Sequence, residues 1–202
     1  MIAIIDYGVG NLFSLTCSLN SIGAETVITS DPDTIRGADK LLLPGVGAFE
    51  DAIAKLRASG LDQIITREVK NGKPILGICL GMQMLFEKSY EYGVHEGLGL
   101  LKGSVVPMAG KIPETLKIPH IGWNALSIKK DHKLLRYIKD GDFVYFVHSY
   151  YATDCEESLL ATAEYGAEIT AAVALDNVMG CQFHPEKSGN VGLSILRAFC
   201  ED

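Results

Sequence analysis

No stretch of this chain is basic enough to hold a polyanion. Its formal net charge is −7, and its lysines and arginines form no cluster. That argues against nucleic acid or an anionic membrane as the main partner. No apolar run approaches the length that spans a bilayer. The opening Met1-Ile2-Ala3-Ile4-Ile5-Asp6 lacks a basic region and meets an acid at once, so it does not read as a signal peptide. The cysteines are few and odd in number: Cys17, Cys79, Cys155, Cys181 and Cys200. No two have metal-ligand or redox-pair spacing, so a reduced, cytoplasmic protein with no metal and no cofactor is expected. Repeats, linkers and low-complexity segments are also missing. With 202 residues, 48% of them hydrophobic, one globular domain over 1–202 is expected.

Elements alternate in the first half. Ile2 to Asp6, Glu25 to Thr29, Lys40 to Leu43 and Pro74 to Ile78 read as short strands. Between them lie helical stripes. Leu12, Leu15, Leu19 and Ile22 follow Asn11 as a potential cap and close at Gly23. Phe49, Ile53 and Leu56 close at Gly60, and Leu61, Ile64, Ile65 and Val69 close at Asn71-Gly72. Such alternation predicts an α/β fold with an open, largely parallel sheet flanked by helices. Gly8-x-Gly10 after the first strand lacks the third glycine of a dinucleotide fingerprint, so it reads as a tight turn. The second half changes character. Val105 to Met108, Ile121 to Ile128, Phe143 to Ala152, Leu159 to Ala163, Ala171 to Leu175 and Val178 to Phe183 read as added antiparallel strands. A final helix starts at Ser188 and carries Val191, Ile195 and Phe199.

The centre of the chain is Gly77-Ile78-Cys79-Leu80-Gly81. A buried strand meets a helix of which Leu80 to Glu87 form the first turns, and Cys79 stands at the corner with a glycine two residues away on each side. This is the layout of a nucleophile elbow, with sulfur as the nucleophile. The glycines suit a turn whose neighbours must pack without bulk. A cysteine at a helix N-terminus also faces unpaired N–H groups, which favour thiolate. The plain alternative is a small buried cysteine on a core strand. Pro44-Gly45-Val46-Gly47 falls at the carboxyl end of another strand, where a glycine-rich loop can aim a backbone N–H at a reacting oxygen.

A cysteine nucleophile needs a base, usually histidine, oriented by a third group. His95 and His132 lie in polar surroundings. His120 reads equally as a strand-edge residue, and His148 faces either the site or the core. His184 ends a strand and is followed by Pro185 and Glu186. The rigid turn at Pro185 can return the Glu186 carboxylate to the imidazole.

Together these residues resemble the triad-type, class I glutamine amidotransferases. More narrowly, they resemble the glutaminase subunits that feed imidazole glycerol phosphate synthesis in histidine biosynthesis. The marks are Asp6-Tyr7-Gly8-Val9-Gly10-Asn11, Pro44-Gly45-Val46-Gly47-Ala48-Phe49, Gly77-Ile78-Cys79-Leu80-Gly81-Met82-Gln83, Pro119-His120-Ile121-Gly122-Trp123-Asn124, Tyr145-Phe146-Val147-His148-Ser149-Tyr150 and Gln182-Phe183-His184-Pro185-Glu186-Lys187-Ser188. The resemblance implies a triad of Cys79, His184 and Glu186. It implies oxyanion donors at Leu80 and in the Gly45-Val46-Gly47 loop, and glutamine contacts at Gln83, Glu91, Ser149 and Tyr150. It also implies a heterodimer with a separate (βα)8-barrel synthase/cyclase subunit that receives the ammonia and forms imidazole glycerol phosphate and AICAR. Candidate docking surfaces are the first glycine turn and the second-half strands. Two alternatives are a glutaminase of the same fold serving another amination, such as surface-sugar synthesis, and a stand-alone thiol hydrolase or peptidase.

Overall fold

The computed structural model describes residues 1–201. Strand and helix alternate first: β1 (Ile2–Ile5), α1 (Leu12–Ser21), β2 (Thr26–Thr29), α2 (Pro32–Gly37), β3 (Lys40–Gly45), α3 (Phe49–Ala58), α4 (Leu61–Lys70), β4 (Ile75–Cys79) and α5 (Leu80–Met84). Strands then dominate: β5 (Phe86–Ser89), β6 (His95–Glu96), β7 (Leu101–Pro107), β8 (His120–Ile128), β9 (Phe143–His148), β10 (Tyr150–Thr153), β11 (Leu159–Glu164), β12 (Glu168–Leu175) and β13 (Val178–Cys181). Helix α6 (Gly189–Cys200) follows.

Nine strands form one sheet in the order β2-β1-β3-β4-β13-β12-β11-β8-β9. From β2 to β13 the pairs are parallel, and from β13 to β9 they are antiparallel. The expected α/β sheet with added antiparallel strands is therefore present. Its layers follow from side-chain alternation along buried strands. Ala3, Ile5, Leu41 and Leu43 pack with α3 and α4, through Phe49, Ile53, Leu56, Leu61 and Ile65. Ile2, Ile4, Leu42 and Leu76 pack on the other face with Leu15 and Leu19 of α1 and Ile195, Leu196 and Phe199 of α6. One connection matters most for the site. Strand β13 returns beside β4, with Cys181 opposite Ile78, so the residues after β13 arrive next to the corner after β4.

The structure departs from the sequence reading in several places. Helix α5 stops at Met84, and Phe86–Ser89 is strand β5. The carbonyls of Met84, Leu85 and Phe86 accept N–H groups of Leu98, Leu100 and Gly99, so distant backbone replaces the next helical turn. The run Phe143 to Ala152 is two strands, because Ser149 passes the chain from the large sheet to a second one, β10-β7-β5-β6. Helix α2 was not anticipated; it is short, opens with Pro32 and is capped by Asp31 accepting the Thr34 N–H at 2.8 Å. Asn11 stands at the N-cap of α1 but makes no side-chain cap bond. The final helix begins where expected, with Ser188 at its N-cap; the Ser188 hydroxyl donates to the His184 carbonyl at 2.7 Å and accepts the Tyr145 N–H at 2.9 Å.

Candidate active site

Cys79 carries the strain expected of an elbow. Its backbone sits at φ 55° and ψ −112°, a region non-glycine residues seldom occupy. The flanking glycines are required by close approach. A Cβ on Gly81 would lie 1.8 Å from the Leu43 carbonyl oxygen, and one on Gly77 would lie 2.7 Å from the Met82 backbone. Cys79 is the N-cap of α5, so Leu80 contributes one of the helix's first, internally unpaired N–H groups.

The candidate base, His184, lies in the turn after β13. Glu186 Oε1 accepts a hydrogen bond from His184 Nδ1 at 2.8 Å, and both side chains are only 3% exposed. That bond places the Nδ1 proton and leaves Nε2 for the nucleophile. Burial pulls the imidazole pKa down, but hydrogen bonds with Cys79 and Glu186 and their charges outweigh it, and His184 is pushed up to about 9. The turn is clamped from behind by α6, where a Cβ on Gly192 would lie 1.9 Å from the Pro185 carbonyl oxygen.

A cavity of about 380 Å³ opens over Cys79. Val46, Gly47, Leu80, Gln83, Glu91, Ser149, Tyr150 and His184 all line it, so the structure brings together residues from five separate segments. Gly45 lies one residue behind the wall, opposite Cys79 in the β3–β4 register, and Glu186 is also behind it. The Tyr7 hydroxyl donates to the Pro44 carbonyl at 2.7 Å and fixes the base of the Gly45-Val46-Gly47 loop. Glu91 Oε2 accepts the Phe49 N–H at 2.6 Å, and burial raises its carboxyl pKa against that bond. Gln83 Nε2 donates to the Tyr150 carbonyl at 3.0 Å.

Four residues to which the sequence reading gave no role also meet the site. His148, left open there, lines the cavity, together with Pro119 and Lys187. Gln182 is fully buried, and its Nε2 lies 3.7 Å from Cys79 Sγ. A polar residue inside the otherwise apolar run Val178 to Phe183 was the available signal.

The family model for glutamine amidotransferase class-I matches residues 3–202. The chain is 54% identical over 202 residues to the imidazole glycerol phosphate synthase subunit HisH of Caldanaerobacter subterraneus subsp. tengcongensis, covering 100% of this chain and 98% of that protein. It is 50% identical over 198 residues to the subunit HisH of Aquifex aeolicus, covering 97% and 94%. Among solved structures, a crystal structure of a glutamine amidotransferase superposes with a TM-score of 0.77 at 18% identity, over 100% and 98% of the two chains. The structure of PurLQS from Thermotoga maritima gives 0.74 at 19% identity, over 99% and 97%. These two likenesses speak to the fold. The chain belongs to the glutamine amidotransferase class-I family, on its HisH branch, the glutaminase subunits of imidazole glycerol phosphate synthase.

Proposed function

We propose that Cys79, His184 and Glu186 are the catalytic triad of this glutaminase. The observation that supports this most is the strained Cys79 corner sharing one cavity with a histidine whose far nitrogen is held by Glu186 at 2.8 Å. Cys79 Sγ attacks the side-chain carbonyl carbon of glutamine. The tetrahedral oxyanion takes N–H donors from Leu80 and the Gly45-Val46-Gly47 loop, each donor contributing about 3–4 kcal/mol. His184 gives its proton to the leaving amine, and the C–N bond breaks to release ammonia. Water, deprotonated by His184, then cleaves the thioester to glutamate and restores the thiol. Gln83, Glu91, Ser149 and Tyr150 hold the amino-acid end of the substrate.

Ammonia released into bulk water at neutral pH is protonated and lost as a nucleophile, so a glutaminase of this kind passes it directly to an acceptor site. We assign that site to a (βα)8-barrel synthase subunit. The surface that fits it carries Ile121, Trp123 and Phe143, all more than half exposed on the β8–β9 edge of the sheet. Trp123 meets Tyr145 edge-on at 6.0 Å, and Lys187 spans from the Tyr145 ring, at 5.9 Å, to the cavity wall. Phe13, 79% exposed just past the first glycine turn, is the candidate contact on that side. Five free cysteines fit a reducing cytoplasm, and no helix among the described residues is long and apolar enough to cross a membrane.

The test is Cys79→Ala in the assembled enzyme. Glutamine-dependent synthesis is expected to vanish, and synthesis from ammonium salt at raised pH is expected to survive. Loss of both together refutes the separation of sites.

A further inference from the structure

One backbone carbonyl fixes the orientation of two buried amides behind the nucleophile. The Tyr150 carbonyl can only accept, so the Gln83 atom 3.0 Å from it is the Nε2 amide nitrogen. The same nitrogen lies 2.9 Å from the Gln182 side chain, and since it can only donate, the facing Gln182 atom is Oε1. Gln182 Nε2 is then the atom turned to Cys79 Sγ, at 3.7 Å. The orientation follows from the bonding alone.

We infer that Gln182 is a donor to the nucleophile. Its N–H stabilises the negative charge on Cys79 sulfur before attack and again when the thioester breaks. The sulfur has a competing neighbour: the Val147 carbonyl oxygen, 3.9 Å away, accepts from the protonated thiol and repels the anion. Gln182 supplies the opposite polarity from the other side. A strut joining β13 to α5 would need only the Oε1 bond to Gln83. It would not need a nitrogen aimed at sulfur. Gln182 has no access to solvent, whereas Gln83 forms part of the cavity wall, so the two amides divide the work. Gln83 meets the substrate and sets the register, and Gln182 meets the sulfur.

The inference rests on Cys79 being the nucleophile, and Cys79→Ala tests that separately: a variant that keeps glutaminase activity refutes the triad whatever Gln182 does. For Gln182, the full chain is treated with iodoacetamide across a pH series. Capture is read on the Cys79 peptide by mass, because Cys17 is exposed and would react as well. Gln182→Met removes the N–H at similar length. Capture is expected to slow about tenfold on the acid limb of the profile and to converge with wild type at alkaline pH, since one hydrogen bond to a charged group has about that effect. Glutaminase kcat is expected to fall by a similar factor with KM within about twofold, because Gln182 does not reach the substrate. Gln182→Glu keeps the shape and the Gln83 bond but presents oxygen to the sulfur, so it is expected to be slower than the Met variant. Wild-type capture by a folded Gln182→Glu chain overturns the inference. So does wild-type capture by a folded Gln182→Met chain.

Discussion

Lowering the pH from 7 to 4 will destabilise this fold through His148, a histidine that the chemistry leaves neutral. His148 Nδ1 donates to the Tyr150 carbonyl at 2.9 Å, so its neutral ring offers Nε2 as an acceptor to His120 Nδ1, 3.1 Å away. A second proton on His148 would set N–H against N–H in a buried space. Desolvation is the largest cause of its shift. The Tyr150 bond opposes that shift, the charges of His120 and His184 add to it, and His148 is held down at about 4. An unfolded histidine titrates near 6.5. Between those values the unfolded chain binds a proton that the folded chain refuses. The contribution of His148 is therefore fully present above about pH 6.5 and is lost as pH falls toward 4. The gap, 6.5 − 4 = 2.5 units, at about 1.4 kcal/mol per unit gives about 3.4 kcal/mol in all. About 2.5 kcal/mol of this is lost by pH 4.5, a large share of a typical 5–15 kcal/mol stability. Urea unfolding of wild type and His148→Gln at pH 7.5 and 4.5 isolates the effect, because the carboxylates are common to both. The wild type is expected to lose about 2.5 kcal/mol more than the variant over that interval. Equal losses would refute the assignment of a buried, neutral His148.

Two further outcomes follow from the site. His184→Ala is expected to lower glutaminase kcat by about 10²–10⁴-fold and Glu186→Gln by less, since Glu186 only orients and stabilises the group that carries the proton; equal losses from folded variants would refute that division. The isolated chain is expected to release glutamate slowly, and partner plus acceptor ligand are expected to speed it by at least about 10²–10³-fold, the worth of one oxyanion donor turned inward at the Val46-Gly47 peptide. Steady-state glutamate assays in the two conditions decide it, and similar kcat values would favour a constitutive hydrolase.

The elbow was legible because its constraints are local and steric. Gly77 and Gly81 flank Cys79 in the sequence, and each faces backbone that would collide with a Cβ. The His-Pro-Glu turn was legible because the base and its orienting acid lie within three residues, and the structure joins them at 2.8 Å. What failed to show in the sequence is decided by distant backbone. Phe143 to Ala152 keeps apolar residues on both sides of Ser149, so periodicity alone does not reveal that β9 pairs with β8 while β10 pairs with β7. The end of α5 depends on carbonyls taken by residues 98–101. The contact of Gln182 with Cys79 spans 103 positions and exists only because β13 lies beside β4.

The strain at Cys79 persists because the chain around it has no room to relax. A left-handed cysteine costs about 1–3 kcal/mol, which surrounding structure must offset. Gly81 is pressed on the Leu43 carbonyl and Gly77 on Met82. A Cβ on Gly45 would lie 2.7 Å from the Gly81 nitrogen, and one on Gly180 would lie 2.6 Å from the Met82 side chain. Strands β3, β4 and β13 thus grip α5 from three sides. The oxyanion loop is built differently. Val46 is 42% exposed, and Gly47 has φ +93° with nothing within 4 Å of where its Cβ would stand. Cys79 is locked, whereas the Val46-Gly47 loop beside it has open space around it. If the triad and oxyanion roles proposed above hold, a partner seated near that loop is expected to act on the donor rather than on the sulfur. Control of this kind changes kcat while leaving the reactivity of Cys79 toward small alkylating agents nearly constant.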